Sequence, residues 1–185
     1  LGERLARRRD DLVAAAGEDM GAPCTVAGIE VDLAAEHLQS MGVEVPRVAG
    51  NSPFGTVAAI FPYDAPAIML ARVGGAAVLG GNRFRFSFSS QTPRTARIIA
   101  ELVKPFPELE AVADMDNRAF GEQCVKDPSV RVLFISGGGE VGAAYAREAD
   151  AFDKLFFAGP SGLPPVMLFR DAPLKSAVRF TVRRA

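Results

Sequence analysis

From residue 56 onward the chain alternates short apolar runs with segments of helical periodicity, and this alternation constrains the fold more than any other feature. Residues 56–62 (TVAAIFP) are almost wholly apolar, as a parallel strand buried on both faces must be. Residues 66–80 are helical and rich in small side chains, 83–88 (RFRFSF) alternate as a strand, and 92–103 read as a helix with proline in its first turn. Further strands are predicted at 109–115 and 130–136, with a short helix between them over 117–126. A helix over 139–149 is entered from a glycine cluster, and KLFFAG (154–159) and PVMLFRD (165–171) read as strands before a last helix begins. Strand and helix in turn imply a doubly wound α/β sheet with right-handed crossovers.

Ahead of this pattern, residues 1–20 and 26–41 read as two helices. Leu5, Leu12 and Val13 mark the apolar stripe of the first, and Ile29, Leu33, Ala34 and Leu38 that of the second. Gly42–Pro53 carries Gly, Pro and Asn and reads as a connector. The division this suggests is 1–50 as a helical segment with its connector and 51–185 as the α/β domain. Leu1 opens directly into a helical pattern and LKSAVRFTVRRA (174–185) stops inside one, so both ends are expected to be cuts through helices.

The 185 residues include 21 basic and 22 acidic side chains, a net charge of −1 that argues against nucleic acid or a membrane surface as partner. No run is long enough to span a bilayer. With one histidine, His37, a histidine-based metal site or a Ser-His-Asp triad is disfavoured. Two distant cysteines, Cys24 and Cys124, suit a reduced, cytoplasmic protein better than a disulfide framework, and with no histidine or basic cluster beside them both read as structural.

Three loops carry candidate chemistry. Ser136-Gly-Gly-Gly-Glu-Val-Gly142 follows a strand and opens a helix, where free N–H groups and the helix dipole favour phosphate; a tight strand-to-helix turn with no ligand explains it as well. Phe61-Pro-Tyr-Asp-Ala-Pro66 lies at the carboxyl end of the first strand, the edge at which parallel sheets bind ligands. There Asp64 is either an orienting group or the N-cap of the following helix. Gly159-Pro-Ser-Gly-Leu-Pro-Pro165 borders a cofactor or is only a stiff turn.

In order, these pieces resemble the aldehyde dehydrogenase superfamily. Its pattern runs from a Pro-x-Gly-x-Val-x-x-Ile strand through a Pro-Trp-Asn-like turn, an Ala-Gly-Asn helix end and a strand leading to Glu-Gln-Thr-Pro. The chain has Pro53-Phe-Gly-Thr-Val-Ala-Ala-Ile60, Pro62-Tyr-Asp64, Gly80-Gly-Asn82 and Ser89-Ser-Gln-Thr-Pro93. Asp127-Pro-Ser-Val-Arg131 and Gly137-Gly-Gly-Glu-Val-Gly142 resemble its His-Pro-x-Val and Gly-Ser-Thr-Glu-Val-Gly stretch, and residues 30–38 the helix before its first strand.

The resemblance covers nearly the whole chain and implies a Rossmann-like nucleotide-binding domain, incomplete and without its catalytic domain. It further implies an NAD- or NADP-linked oxidoreductase that oxidises an aldehyde, or reduces an acyl thioester, through a cysteine located beyond Ala185. The cofactor-lining positions would be Ile60, Phe61, Pro62, Tyr63, Ser87, Ser90, Ser136, Gly137, Gly138 and Val141. Homo-oligomers are usual in the family.

Departures from the pattern are equally specific. Asp64 stands where the family has an oxyanion-holding Asn, and an ionised carboxylate donates no hydrogen bond. Ser87 and Ser90 replace the Lys and Glu that hold the adenosine ribose. Phe157 stands near the general-base Glu, and a phenyl ring activates no water. Acyl transfer to CoA needs no such base, so a CoA-acylating relative is one reading. A catalytically inactive scaffold or interaction subunit is the other.

Overall fold

The computed structural model describes residues 1–137, 139–160 and 167–182. The N-terminal helices are α1 (Gly2–Arg7), α2 (Arg9–Met20) and α3 (Cys24–Ser40), followed by a 3-10 turn (Met41–Glu44) and the single turn α4 (Val45–Val48). The alternating part follows as β1 (Thr56–Ile60), α5 (Pro66–Met69), a π-helical turn (Leu70–Gly74), α6 (Gly75–Leu79), β2 (Arg83–Ser87), α7 (Pro93–Val103) and β3 (Leu109–Val112). Then come α8 (Asn117–Lys126), β4 (Val130–Gly137), α9 (Gly139–Ala151), β5 (Leu155–Pro160) and α10 (Leu174–Val182). The strands form one sheet of order β3-β2-β1-β4-β5, every pair parallel. This is the doubly wound α/β class that the alternation predicts. Strand order reverses between β1 and β4, which places a crevice at their carboxyl ends.

Strand alternation sorts the core into two faces. Val57, Ala59, Phe61, Phe84 and Phe86 point to one, which α1–α3 and α5–α7 cover through Leu5, Leu12, Val31, Ala34, Leu70 and Ile99. The Phe61 and Phe86 rings stack at 4.9 Å and Phe84 and Phe86 at 5.2 Å. Ala58, Ile60, Leu133 and Ile135 point to the other face, beneath Phe120, Cys124 and Val125 of α8 and Ala149 of α9. On the first face Leu155 and Phe157, which pair in register with Val132 and Phe134, are half exposed.

Several boundaries differ from the sequence expectation. The first helix breaks at Arg8, whose φ/ψ of −104°/18° is not helical. The stripe expected on α3 is displaced: Ala27, Gly28, Val31, Ala34 and Ala35 are buried, whereas Ile29 and Leu33 are 58% and 48% exposed. Small residues win that face because the helices meet closely; a Cβ on Gly2 would lie 2.8 Å from the Ala35 carbonyl oxygen. The connector is partly helical. Within the strand expected at 165–171, Met167–Phe169 have no regular structure and residues 165 and 166 lie outside the described residues. Among the described residues, no helix is long and apolar enough to cross a membrane, and no group of three or more His, Cys, Asp and Glu side chains is arranged to hold a metal.

Candidate functional site

The crevice at the switch point is a cavity of about 560 Å³. Ile60 from the end of β1, Ile135 and Ser136 from β4, and Val141 and Ala144 from α9 line one side. Asp116, Asn117, Arg118 and Glu122 line it from α8 and its cap, with Tyr145 and Glu148 from α9. Three of the sequence-predicted positions, Ile60, Ser136 and Val141, therefore meet in one cavity.

Local chemistry fixes each wall. Asp116 caps α8, its Oδ1 accepting from the Arg118 and Ala119 backbone N–H groups at 2.9 and 3.2 Å. Asn117 follows, and its Oδ1 accepts a 2.7 Å hydrogen bond from the Ser87 hydroxyl at the end of β2. Tyr145 approaches α8 closely because residue 121 is glycine; a Cβ there would sit 2.1 Å from the phenol oxygen. Burial first, then the Glu148 and Glu122 carboxylates, raise the Tyr145 phenol above its ordinary range. The Arg118 guanidinium donates to Glu122 at 3.0 Å.

The other predicted positions scatter. Ser87 is fully buried and committed to Asn117. Ser90 is exposed. Gly137 ends β4, and Gly138 lies outside the described residues. Phe61 extends the β1–β2 pairing, its N–H donating to the Ser87 carbonyl at 3.0 Å, while its ring belongs to the aromatic core on the opposite face. Pro62 is half-buried, and Tyr63 and Asp64 are exposed in the turn that leads to α5. Among the described residues, a Cβ on Gly139, the first residue of α9, would meet nothing within 4 Å.

The capping role considered for Asp64 falls to another residue. The N-cap of α5 is Ala65, without a side-chain cap. Glu30 of α3 instead accepts from the Ala67 and Ile68 N–H groups at 2.8 and 3.2 Å. A carboxylate reaches two donors at once from a buried helix, whereas Asp64 turns to solvent. Burial raises the Glu30 carboxyl above the usual range, the backbone donors oppose this, and Asp64 adds to it. Asp19 of α2 does the same for α7, accepting from the Arg94 and Thr95 N–H groups and the Thr95 hydroxyl at 2.9–3.2 Å. Neither carboxylate carries a local sequence signal, since its partners lie 37 and 75 residues or more away. Asp116, three residues ahead of Ala119 and preceding a helical run, is the one cap a sequence rule finds.

The Gly80-Gly-Asn82 motif is structural. The Asn82 carbonyl oxygen accepts from the Phe54 and Gly55 N–H groups, and its amide donates to the Ala77 carbonyl, tying the end of α6 to the entry of β1. Neither thiol is placed for chemistry at the crevice. Cys124 is buried in the second core, where desolvation pushes its pKa up to about 11. Cys24 opens α3 and is exposed.

The profile of the aldehyde dehydrogenase family matches residues 1–185. The chain belongs to this family. It is 31% identical over 193 residues to a probable NADP(+) succinate-semialdehyde dehydrogenase of Sinorhizobium fredii, covering 94% of the chain and 39% of the relative. It is 28% identical to a glutarate-semialdehyde dehydrogenase of Pseudomonas aeruginosa, with 94% and 40% covered. The solved succinate-semialdehyde dehydrogenase from Burkholderia pseudomallei superposes with a TM-score of 0.87 at 26% identity, covering 98% of this chain and 42% of that one. The chain thus spans about two fifths of the length of the curated relatives it matches, as the 39% and 40% figures show. The fold is the Rossmann-like fold of these aldehyde dehydrogenases.

Proposed function

We propose that the chain supplies the nucleotide-binding part of an NAD(P)-dependent aldehyde oxidoreductase, with the switch-point cavity holding the adenosine end of the dinucleotide. The cavity carries this reading. Its apolar wall of Ile60, Ile135, Val141 and Ala144 suits a purine, and Asn117, Asp116 and Glu148 offer partners for ribose hydroxyls. The open N-terminus of α9 at Gly139 offers backbone donors to the diphosphate. The dinucleotide would supply the hydride acceptor; the chain binds and orients it.

In this reading residues 51–185 form the nucleotide-binding domain and residues 1–50 brace it. The nucleophilic thiol is neither Cys24 nor Cys124 and belongs to a part of the protein outside this chain. The substrate is an aldehyde, or an acyl thioester with CoA as co-substrate. The semialdehyde substrates in the names of the two relatives make a small aldehyde the first to try. A cytoplasmic homo-oligomer completes the proposal, and sizing chromatography of the intact protein tests the assembly.

Calorimetric titration of the 185-residue protein with NADH and with adenosine 5′-monophosphate is the direct test. Tyr63→Phe leaves Tyr145 as the only tyrosine, so quenching of its fluorescence should report the same affinity. If neither ligand binds at millimolar concentration, the nucleotide-binding reading fails.

The turn at Asp64 favours a second reading, a divergent or inactive active site. Asp64 as a carboxylate donates no hydrogen bond, and the Ala67 and Ile68 N–H groups that follow it are engaged by Glu30. Near the general-base position, Phe157 presents a half-exposed ring. In the intact, cysteine-containing protein Asp64→Asn should raise aldehyde turnover. Unchanged or lower turnover would count against an oxyanion role for this position.

A further inference from the structure

Resting on the nucleotide-binding reading of the switch-point cavity, we propose that it selects a dinucleotide lacking a 2′-phosphate, NAD(H) over NADP(H). Several relatives carry NADP(+) in their names, so the chain would depart from them here. Charge around the cavity is predominantly negative. The described lining holds three carboxylates, Asp116, Glu122 and Glu148, and one cation, Arg118. Arg118 is already paired with Glu122, and among the described residues Asp116 and Glu148 have no ion-pair partner.

Two helix N-termini flank the cavity, and they differ. At that of α9, a Cβ on Gly139 would meet no atom of the described residues within 4 Å, which leaves room for a diphosphate. That of α8 is filled by the Asp116 carboxylate, which accepts from the N–H groups a second phosphate would need. Ser87 offers no charge, and its hydroxyl is spent on Asn117. Ser90 is exposed and neutral. Residues 138 and 161–166 contain no ionisable side chain, and Arg183 and Arg184 lie outside the described residues. The raised Tyr145 phenol reports the same negative field, since after burial its leading causes are Glu148 and Glu122.

The experiment is paired calorimetric titration of the 185-residue protein with NADH and NADPH, repeated with adenosine 5′-monophosphate and adenosine 2′,5′-bisphosphate to isolate the added phosphate. At low ionic strength the ligand without the 2′-phosphate should bind about tenfold tighter or more. Added salt should shrink that ratio, because the discrimination is electrostatic. Glu148→Lys, at an exposed position on α9, and Glu122→Gln, which frees Arg118, should each move the ratio toward NADPH, with circular dichroism confirming an unchanged fold. Equal or tighter NADPH binding by the unaltered protein overturns the inference and leaves the nucleotide reading standing. So does a preference for NADH that neither variant changes. Failure of all four ligands to bind overturns the nucleotide reading, and the inference falls with it.

Discussion

The two faces of the sheet solve the same packing problem in opposite ways. On the first, six helices cover a stacked set of phenylalanines, and two of those helices, α5 and α7, are capped by carboxylates reaching from α3 and α2. On the second, α8 and α9 cover a smaller core and leave the cavity between them. Apolar burial on one side provides stability, while the thinner side keeps polar and charged groups available at the switch point. The helices of residues 1–50 thus share one core with β1–β3 and brace the turn that carries Asp64.

The most severe test of this contrast is truncation of the aromatic stack. Phe86 is fully buried between Phe61, Phe84 and Phe88, so Phe86→Ala should cost about 3–5 kcal/mol, read from urea unfolding. Phe120→Ala on the second face should cost about 1 kcal/mol less, because α8 can relax toward the cavity and the Phe120 ring partly faces the Arg85 guanidinium 5.6 Å away. An equal or larger loss at Phe120 would mean that the cavity face bears as much of the fold as the helical face, and the contrast would be void.

Much of this division is legible in the sequence. The apolar runs at 56–62 and 130–136 locate the two central strands, and the glycine cluster after the second marks the open helix end. Ser136 and Val141 lie in that glycine-rich turn, and the family resemblance adds Ile60. Asn117, Tyr145 and Glu148 carry no such signal, because their roles arise only when α8 and α9 dock side by side. The exposed Ile29 and Leu33 show a second limit: hydrophobicity alone puts them inward, but close helix contact demands Ala and Gly there. Long-range caps are the third. Glu30 and Asp19 look like solvated helix charges until the tertiary fold brings α5 and α7 to them.

Those caps give the next predictions in size. Glu30→Ala leaves the Ala67 and Ile68 N–H groups without their buried acceptor and should cost about 1–3 kcal/mol. Asp19→Ala, at a half-buried position in the last turn of α2, should cost about 1–2 kcal/mol. Hydrogen exchange sharpens the comparison: Glu30→Ala should speed exchange in the first turn of α5 and Asp19→Ala in that of α7, with α8 and α9 unaffected. Losses spread evenly over both faces would show that the caps stabilise the whole domain rather than their own helices.

The smallest expected effect is the most diagnostic of how Glu30 works. Burial, with Asp64 nearby, raises its folded-state pKa despite the two backbone donors. A carboxyl whose pKa rises on folding contributes stability that is complete below its unfolded value and is lost as pH climbs through the folded one. Glutamine keeps a carbonyl oxygen for the Ala67 and Ile68 N–H groups but has no proton to lose. Glu30→Gln should therefore match the unaltered protein in acid and become modestly more stable than it toward neutral pH. Denaturant midpoints of the pair between about pH 4 and pH 8 measure this, the other carboxylates cancelling in the difference. Asp64→Asn should narrow the gap by removing the neighbouring charge. A glutamine variant less stable than the parent at neutral pH would mean that the ionised carboxylate itself is the better cap, and that charge rather than shape holds the Asp64 turn in place.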